Sequence, residues 1–99
     1  MPSYNSEHRV LELAGYAKVS LAVSGTAAQT SVLGVGVYAV WCPTLDVHIK
    51  VAETADDVQT SDGFTVFAGN MVAVGVPIGG RIGAITDGGS GTLYVFRIG

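Results

Sequence analysis

The stretch Leu45-Asp46-Val47-His48-Ile49-Lys50-Val51 alternates apolar and polar side chains without a break. Successive side chains of an extended strand point to opposite faces of a sheet. The four apolar residues therefore share one face and the three polar residues share the other. This period of two predicts a β-strand that covers a core on one side only.

The same pattern continues on both sides of this strand, interrupted by glycine and proline. About seven short strands at a spacing of about ten residues are typical of an antiparallel sandwich. The further strands are predicted over 18–24, 32–42, 64–67, 71–76, 81–86 and 92–98. Residues 26–31 are predicted as a loop, and 87–91 as a tight hairpin loop.

These elements predict an all-β fold, a single-domain antiparallel β-sandwich or jelly roll with an N-terminal arm. The sandwich domain is expected over 17–99. The arm is expected over 1–16, where the pattern is irregular and the first nine residues are mostly polar. The start of the chain also lacks the basic and apolar regions of a secretory signal.

Charged side chains are scarce, at 13% of residues, while 48% are hydrophobic. A soluble domain is usually about 25% charged. A domain this small leaves much of its chain at the surface, so a free monomer would expose an unusually apolar skin, which is typical of a protein contact surface. The net charge of −3 disfavours nucleic acid as a partner, and no apolar run is long enough to span a membrane.

Several strands are apolar on both faces. In the last one, Tyr94 and Phe96 lie on one side while Leu93 and Val95 lie on the other. A two-layer sandwich covers only one face of each sheet. The other face must meet solvent, the N-terminal arm or a second chain. Trp41, the single tryptophan, suits either the core or such an interface.

The residues that could take part in catalysis do not form a convincing active site. Asp46 and His48 share a strand face and would make a nominal triad with Ser20, but no nucleophile elbow or oxyanion loop accompanies them. A solvated polar face is the favoured interpretation. We therefore predict no enzymatic activity and no catalytic residues.

Metal and cofactor sites are not predicted either. The two histidines are forty positions apart, and Cys42 stands in an apolar run that favours a buried, inert thiol. The acidic residues between 53 and 63 do not match a calcium loop and are expected to be solvated. Neither Gly34-Val35-Gly36 nor Gly79-Gly80 is followed by the lysine and helix of a phosphate loop.

Several segments follow one another in a recognisable order. They are Leu21-Ala22-Val23-Ser24-Gly25-Thr26-Ala27, Val37-Tyr38-Ala39-Val40-Trp41, Asp46-Val47-His48-Ile49-Lys50-Val51, Phe67-Ala68-Gly69-Asn70, Gly80-Arg81-Ile82-Gly83-Ala84-Ile85 and Ser90-Gly91-Thr92-Leu93-Tyr94. This order, over roughly residues 17–99, resembles the small β-sandwich decoration or cement proteins of tailed bacteriophages. The resemblance rests on segments that build the sandwich, and it implies a non-enzymatic protein that sits on an assembled capsid.

The resemblance implies the major capsid protein as a partner, together with copies of the chain itself, as a homotrimer first and a dimer second. The expected location is the virion, assembled in the host bacterial cytoplasm. The candidate subunit or capsid contacts are Tyr4, Arg9, Leu11, Leu13 and Tyr16 in the arm, with Trp41 and Tyr94 in the subunit interface. The alternative is a neck, tail-tip or fibre-base protein that could bind carbohydrate through Tyr38, Tyr94 and Asp87.

Overall fold

The computed structural model describes residues 18–61 and 63–99. These residues form eight β-strands and no helix. The strands are β1 (Val19–Val23), β2 (Ala28–Gln29), β3 (Gly36–Trp41), β4 (Val47–Ala52), β5 (Phe64–Val66), β6 (Met71–Val76), β7 (Arg81–Ile85) and β8 (Gly91–Arg97). The all-β prediction is confirmed. The proposed arm, 1–16, lies outside the described residues.

The strands form two four-stranded sheets in which all neighbours are antiparallel. The first sheet has the order β1-β8-β3-β6, and the second has the order β2-β7-β4-β5. Thus β1 pairs with β8, β2 with β7, β3 with β6 and β4 with β5, as if one long hairpin were folded over itself. This pairing is the jelly-roll topology, so the predicted sandwich or jelly roll is confirmed.

The core lies between the sheets and is built by the period of two. Val40 of β3 and Leu93 and Val95 of β8 are fully buried, and Val47 and Ile49 of β4 meet them from the second sheet. Cys42 is fully buried in the same cluster, as the sequence predicts. The inward face of each sheet is therefore covered by the other sheet.

The connections differ from those that the turn signals suggest. Only β4 and β5 are consecutive strands of one sheet, and every other connection crosses between the sheets. The hairpin prediction for 87–91 is wrong, because β7 and β8 belong to different sheets. The two-residue β2, too short to show a period, lies within the predicted loop, and β3 begins at Gly36 because residues 32–35 lead from one sheet to the other.

Candidate docking surface

The outer face of the first sheet is the side turned away from the core, and its side chains form rows across the strands. One row runs Ser20, Tyr94, Trp41 and Met71 through β1, β8, β3 and β6. The next row contains Phe96, Ala39 and Ala73, and a third contains Val37 and Gly75. Apart from Ser20, which lies on β1 at the edge of the sheet, the residues of these rows are apolar.

An aromatic pair marks the middle of the outer face. The rings of Trp41 and Tyr94 lie with centroids 5.5 Å apart and planes inclined by 32°. The ammonium group of Lys18 lies 4.8 Å from the centroid of the Tyr94 ring, within cation–π range. Both rings remain partly exposed, so the pair presents a large apolar surface that is already held in place.

Exposed aliphatic side chains extend this surface. Met71 is 56% exposed beside Trp41, and Val37 is 40% exposed two positions from Ala39. Among the described residues whose side chains lie on this outer face, Lys18 at the β1 margin is the charged one. A contiguous apolar patch with a polar margin is typical of a protein–protein contact.

The outer face of the second sheet, by contrast, is covered by the chain itself. The covering segment, residues 53–61, crosses this sheet and buries Ala55 and Val58. The amide of Ala55 donates a 2.9 Å hydrogen bond to the Gln29 side chain. A Cβ on Gly83 would overlap the Ala55 carbonyl oxygen, so the covering segment requires glycine there. The fold thus shields one outer face and leaves the other without a cover among the described residues.

An ion pair ties the covering segment to the sheet beneath it. Lys50 Nζ lies 2.7 Å from Asp57 Oδ1, and this hydrogen bond lowers the pKa of Asp57 below its ordinary value of 3.8. The predicted solvated acidic loop therefore has a structural role in part. The described residues contain no group of three or more His, Cys, Asp or Glu that could hold a metal ion.

The nominal triad is not assembled. Asp46 accepts a 2.8 Å hydrogen bond from the Ala68 amide rather than contacting His48. The His48 ring instead makes 3.0 Å contacts to Thr65 and to Asp87. Ser20 lies on the outer face of the first sheet, whereas His48 lies on the second sheet, on the opposite side of the sandwich. The polar face of β4 is mostly paired, not freely solvated as expected.

Trp41 and Tyr94, the two predicted contact residues within the described part of the chain, lie side by side on the outer face of the first sheet. The other five, Tyr4, Arg9, Leu11, Leu13 and Tyr16, lie outside the described residues. The sequence did not single out Met71. Its alternation with Ala73 and Gly75, opposite three valines, is the signal that would have placed it on this face.

The three residues considered for carbohydrate are kept apart. Tyr38 is buried in the core and donates a 2.6 Å hydrogen bond to the Gly34 carbonyl oxygen. Tyr94 lies on the outer face of the first sheet, whereas Asp87 contacts His48 on the second sheet. No joint site can form from these three residues.

The chain matches no protein-family model, no curated protein and no solved structure. Within 18–61 and 63–99, no helix has the length and apolarity needed to cross a membrane.

Proposed function

We propose that this protein is a structural component of a bacteriophage particle, a capsid decoration protein that binds the assembled head through the outer face of the first sheet. The observation that carries the proposal is the contiguous apolar surface around Trp41 and Tyr94, which no described residue covers, whereas residues 53–61 cover the other sheet. The segment order resembles decoration proteins, and jelly rolls are common in viral capsid domains. Because one fold serves many functions, the surface counts for more than the topology.

Such a protein stabilises its target by mass action. A ligand that binds the assembled shell, and not its separated subunits, shifts the equilibrium toward the shell. Large aromatic side chains that are held in place lose little conformational entropy on binding and often carry most of the binding energy of an interface. We therefore assign the anchoring role to Trp41 and Tyr94, with Met71 and Val37 extending the contact.

The test is co-sedimentation of the purified protein with heads of the phage that encodes it. Tyr94→Lys should weaken binding about thirtyfold, as expected for loss of a hot spot worth about 2 kcal/mol. Phe64→Lys is the matched control, since Phe64 is 57% exposed but belongs to the second sheet. Equal binding by the two variants, with their β-sheet circular dichroism intact, would contradict the proposal.

A position at the neck, tail tip or fibre base is the second candidate, because an exposed aromatic pair also suits carbohydrate and jelly rolls include lectin domains. Copy number per particle separates the two positions. A number that scales with the capsid subunits supports decoration of the head, whereas a number that fits a single ring supports the neck or tail.

A further inference from the structure

Within the described residues, the first sheet ends in an edge strand, β6, that lacks the usual protection. Edge strands expose unpaired N–H and C=O groups, and proteins commonly blunt them by shortness, charge, proline or a covering segment. The edges of the second sheet, β2 and β5, have only two and three residues. β6 has six residues, Met71–Val76, with no charge and no proline, and no described strand pairs with its outer edge.

Large apolar side chains flank this edge at both ends. Phe67 is 59% exposed before β6, Met71 is 56% exposed at its start, and Ile78 is 81% exposed just after its end. An edge with apolar groups at both ends is self-complementary under a two-fold axis. In an antiparallel pair of identical strands, the start of one meets the end of the other, which brings Phe67 toward Ile78 of the partner subunit.

We propose that β6 pairs antiparallel with β6 of a second copy of this chain, about a two-fold axis perpendicular to the first sheet. The two first sheets then form one continuous sheet. The strand carries no charge that would repel its own copy, whereas like charges facing each other across a strand pair are destabilising. The backbone supplies the hydrogen bonds, and the flanking side chains supply the apolar contact.

The register follows from side-chain direction. Residues directly opposite in an antiparallel pair point to the same side of the sheet. For the largest overlap of Met71–Val76, the two-fold axis therefore passes between the two copies of Ala73 or of Val74. An axis at the peptide bond between these residues would set outward Met71 against inward Val76. Ala73 then faces either Ala73 or Gly75 of the partner subunit, and these small residues leave the outer side of the pair uncrowded.

This inference goes beyond the proposed function, because it needs only the β6 edge and would hold for any ligand of the outer face. It has a consequence for docking, however. A two-fold axis perpendicular to the sheet places both outer faces on the same side of the dimer, as one continuous surface. The homotrimer predicted from the sequence hides the apolar sheet faces at its axis instead. A trimer built through the strand edges would pair β6 with β1 of the next copy, beside Lys18.

The experiment is a charge exchange at Ala73, which is exposed on the outer side of β6. In sedimentation equilibrium, wild type should be a dimer. Ala73→Lys or Ala73→Glu alone should raise the dissociation constant about tenfold or more, because like charges would lie directly opposite each other or at diagonal positions across the strand pair. An equimolar mixture of the two variants should restore the dimer at low salt. Ala22→Lys and Ala22→Glu are matched controls on β1, the opposite edge of the same sheet, and should remain dimeric.

Hydrogen exchange on wild type gives a readout that needs no variant. Dilution below the dissociation constant should speed the exchange of β6 amides and leave those of the central β3 and β8 unchanged. A monomer at every concentration overturns the proposal, including one whose β6 edge is protected by its own chain. A trimer that the Ala22 variants also disrupt overturns it in favour of a β6–β1 ring. If Tyr94→Lys is still a dimer, the β6 pairing is supported whether or not this variant binds heads. Its binding to heads tests the proposed function alone.

Discussion

Gly83 lies in the middle of β7, where the covering segment crosses the second sheet. The Ala55 carbonyl oxygen occupies the space that a Cβ would need, and the neighbouring Ile82 and Ala84 are fully buried. The backbone at Gly83 does not have a positive φ. This glycine is therefore required for close approach of two backbones, not for its conformational freedom.

Gly83→Ala should destabilise the protein by about 1–3 kcal/mol, the usual cost of inserting a methyl group into filled space. The matched control is Gly75→Ala in β6, where a Cβ would meet nothing within 4 Å. That change should be neutral or slightly stabilising, since glycine inside a strand costs about 0.5–1 kcal/mol relative to alanine. Urea denaturation measures both, and equal losses would contradict the close contact at Gly83.

At the scale of the elements, the covering segment makes the two sheets differ, because it covers the outer face of the second sheet only. It is held by the Gln29 side chain at Ala55 and by Lys50 at Asp57. It joins β4 to β5, the one pair of consecutive strands within a sheet, so it leaves and re-enters the second sheet at neighbouring strands. No segment within the described residues crosses the first sheet in this way.

The covering segment should loosen in acid. The Lys50 hydrogen bond lowers the pKa of Asp57 below its ordinary 3.8. A carboxyl group with a lowered folded-state pKa contributes its stability above the ordinary value and loses it as the pH falls through the lowered pKa. An NMR titration should show the Ala55 amide shifting in that acid range in wild type and not in Asp57→Asn, with Asp56→Asn behaving as wild type. An identical titration in all three proteins would show that the pair does not hold the segment.

The described residues of the molecule present different surfaces on the two sides of the sandwich. The second sheet carries its own cover with an ion pair and a paired histidine, while the first sheet presents aromatic and aliphatic side chains with Lys18 at one margin. Binding through the outer face of the first sheet would be driven by burial of apolar surface, with little contribution from charge. The small contribution of charge predicts how the binding affinity should respond to salt.

Binding of the protein to heads should be nearly unchanged between low salt and about 1 M NaCl, where the Debye length falls to about 3 Å. An interface with few charges has little attraction to screen, and its heat capacity change should be negative. Isothermal titration calorimetry at several temperatures and salt concentrations measures both quantities. Affinity that drops steeply with salt would assign the docking to charged residues instead.

The sequence by itself determined where most strands lie and which residues of each strand share a face. It placed β6 at its observed bounds, and it separated buried Leu93 and Val95 from outward Tyr94 and Phe96. The physical reason is local. The side-chain direction alternates along any extended chain, so the sequence separates the two faces of a strand, and it identifies the buried face where only one of them is apolar, as in β4.

Only the tertiary structure decided which strands are neighbours. Sequence signals at 87–91 suggested a hairpin, yet β7 and β8 join different sheets, and the contact of Trp41 with Tyr94 comes from the pairing of β3 with β8 across more than half of the chain. The same applies to the cover of the second sheet by residues 53–61. Backbone hydrogen bonds are chemically alike in every strand, so the choice of partner depends on how all the apolar faces pack together, and no local pattern carries that information.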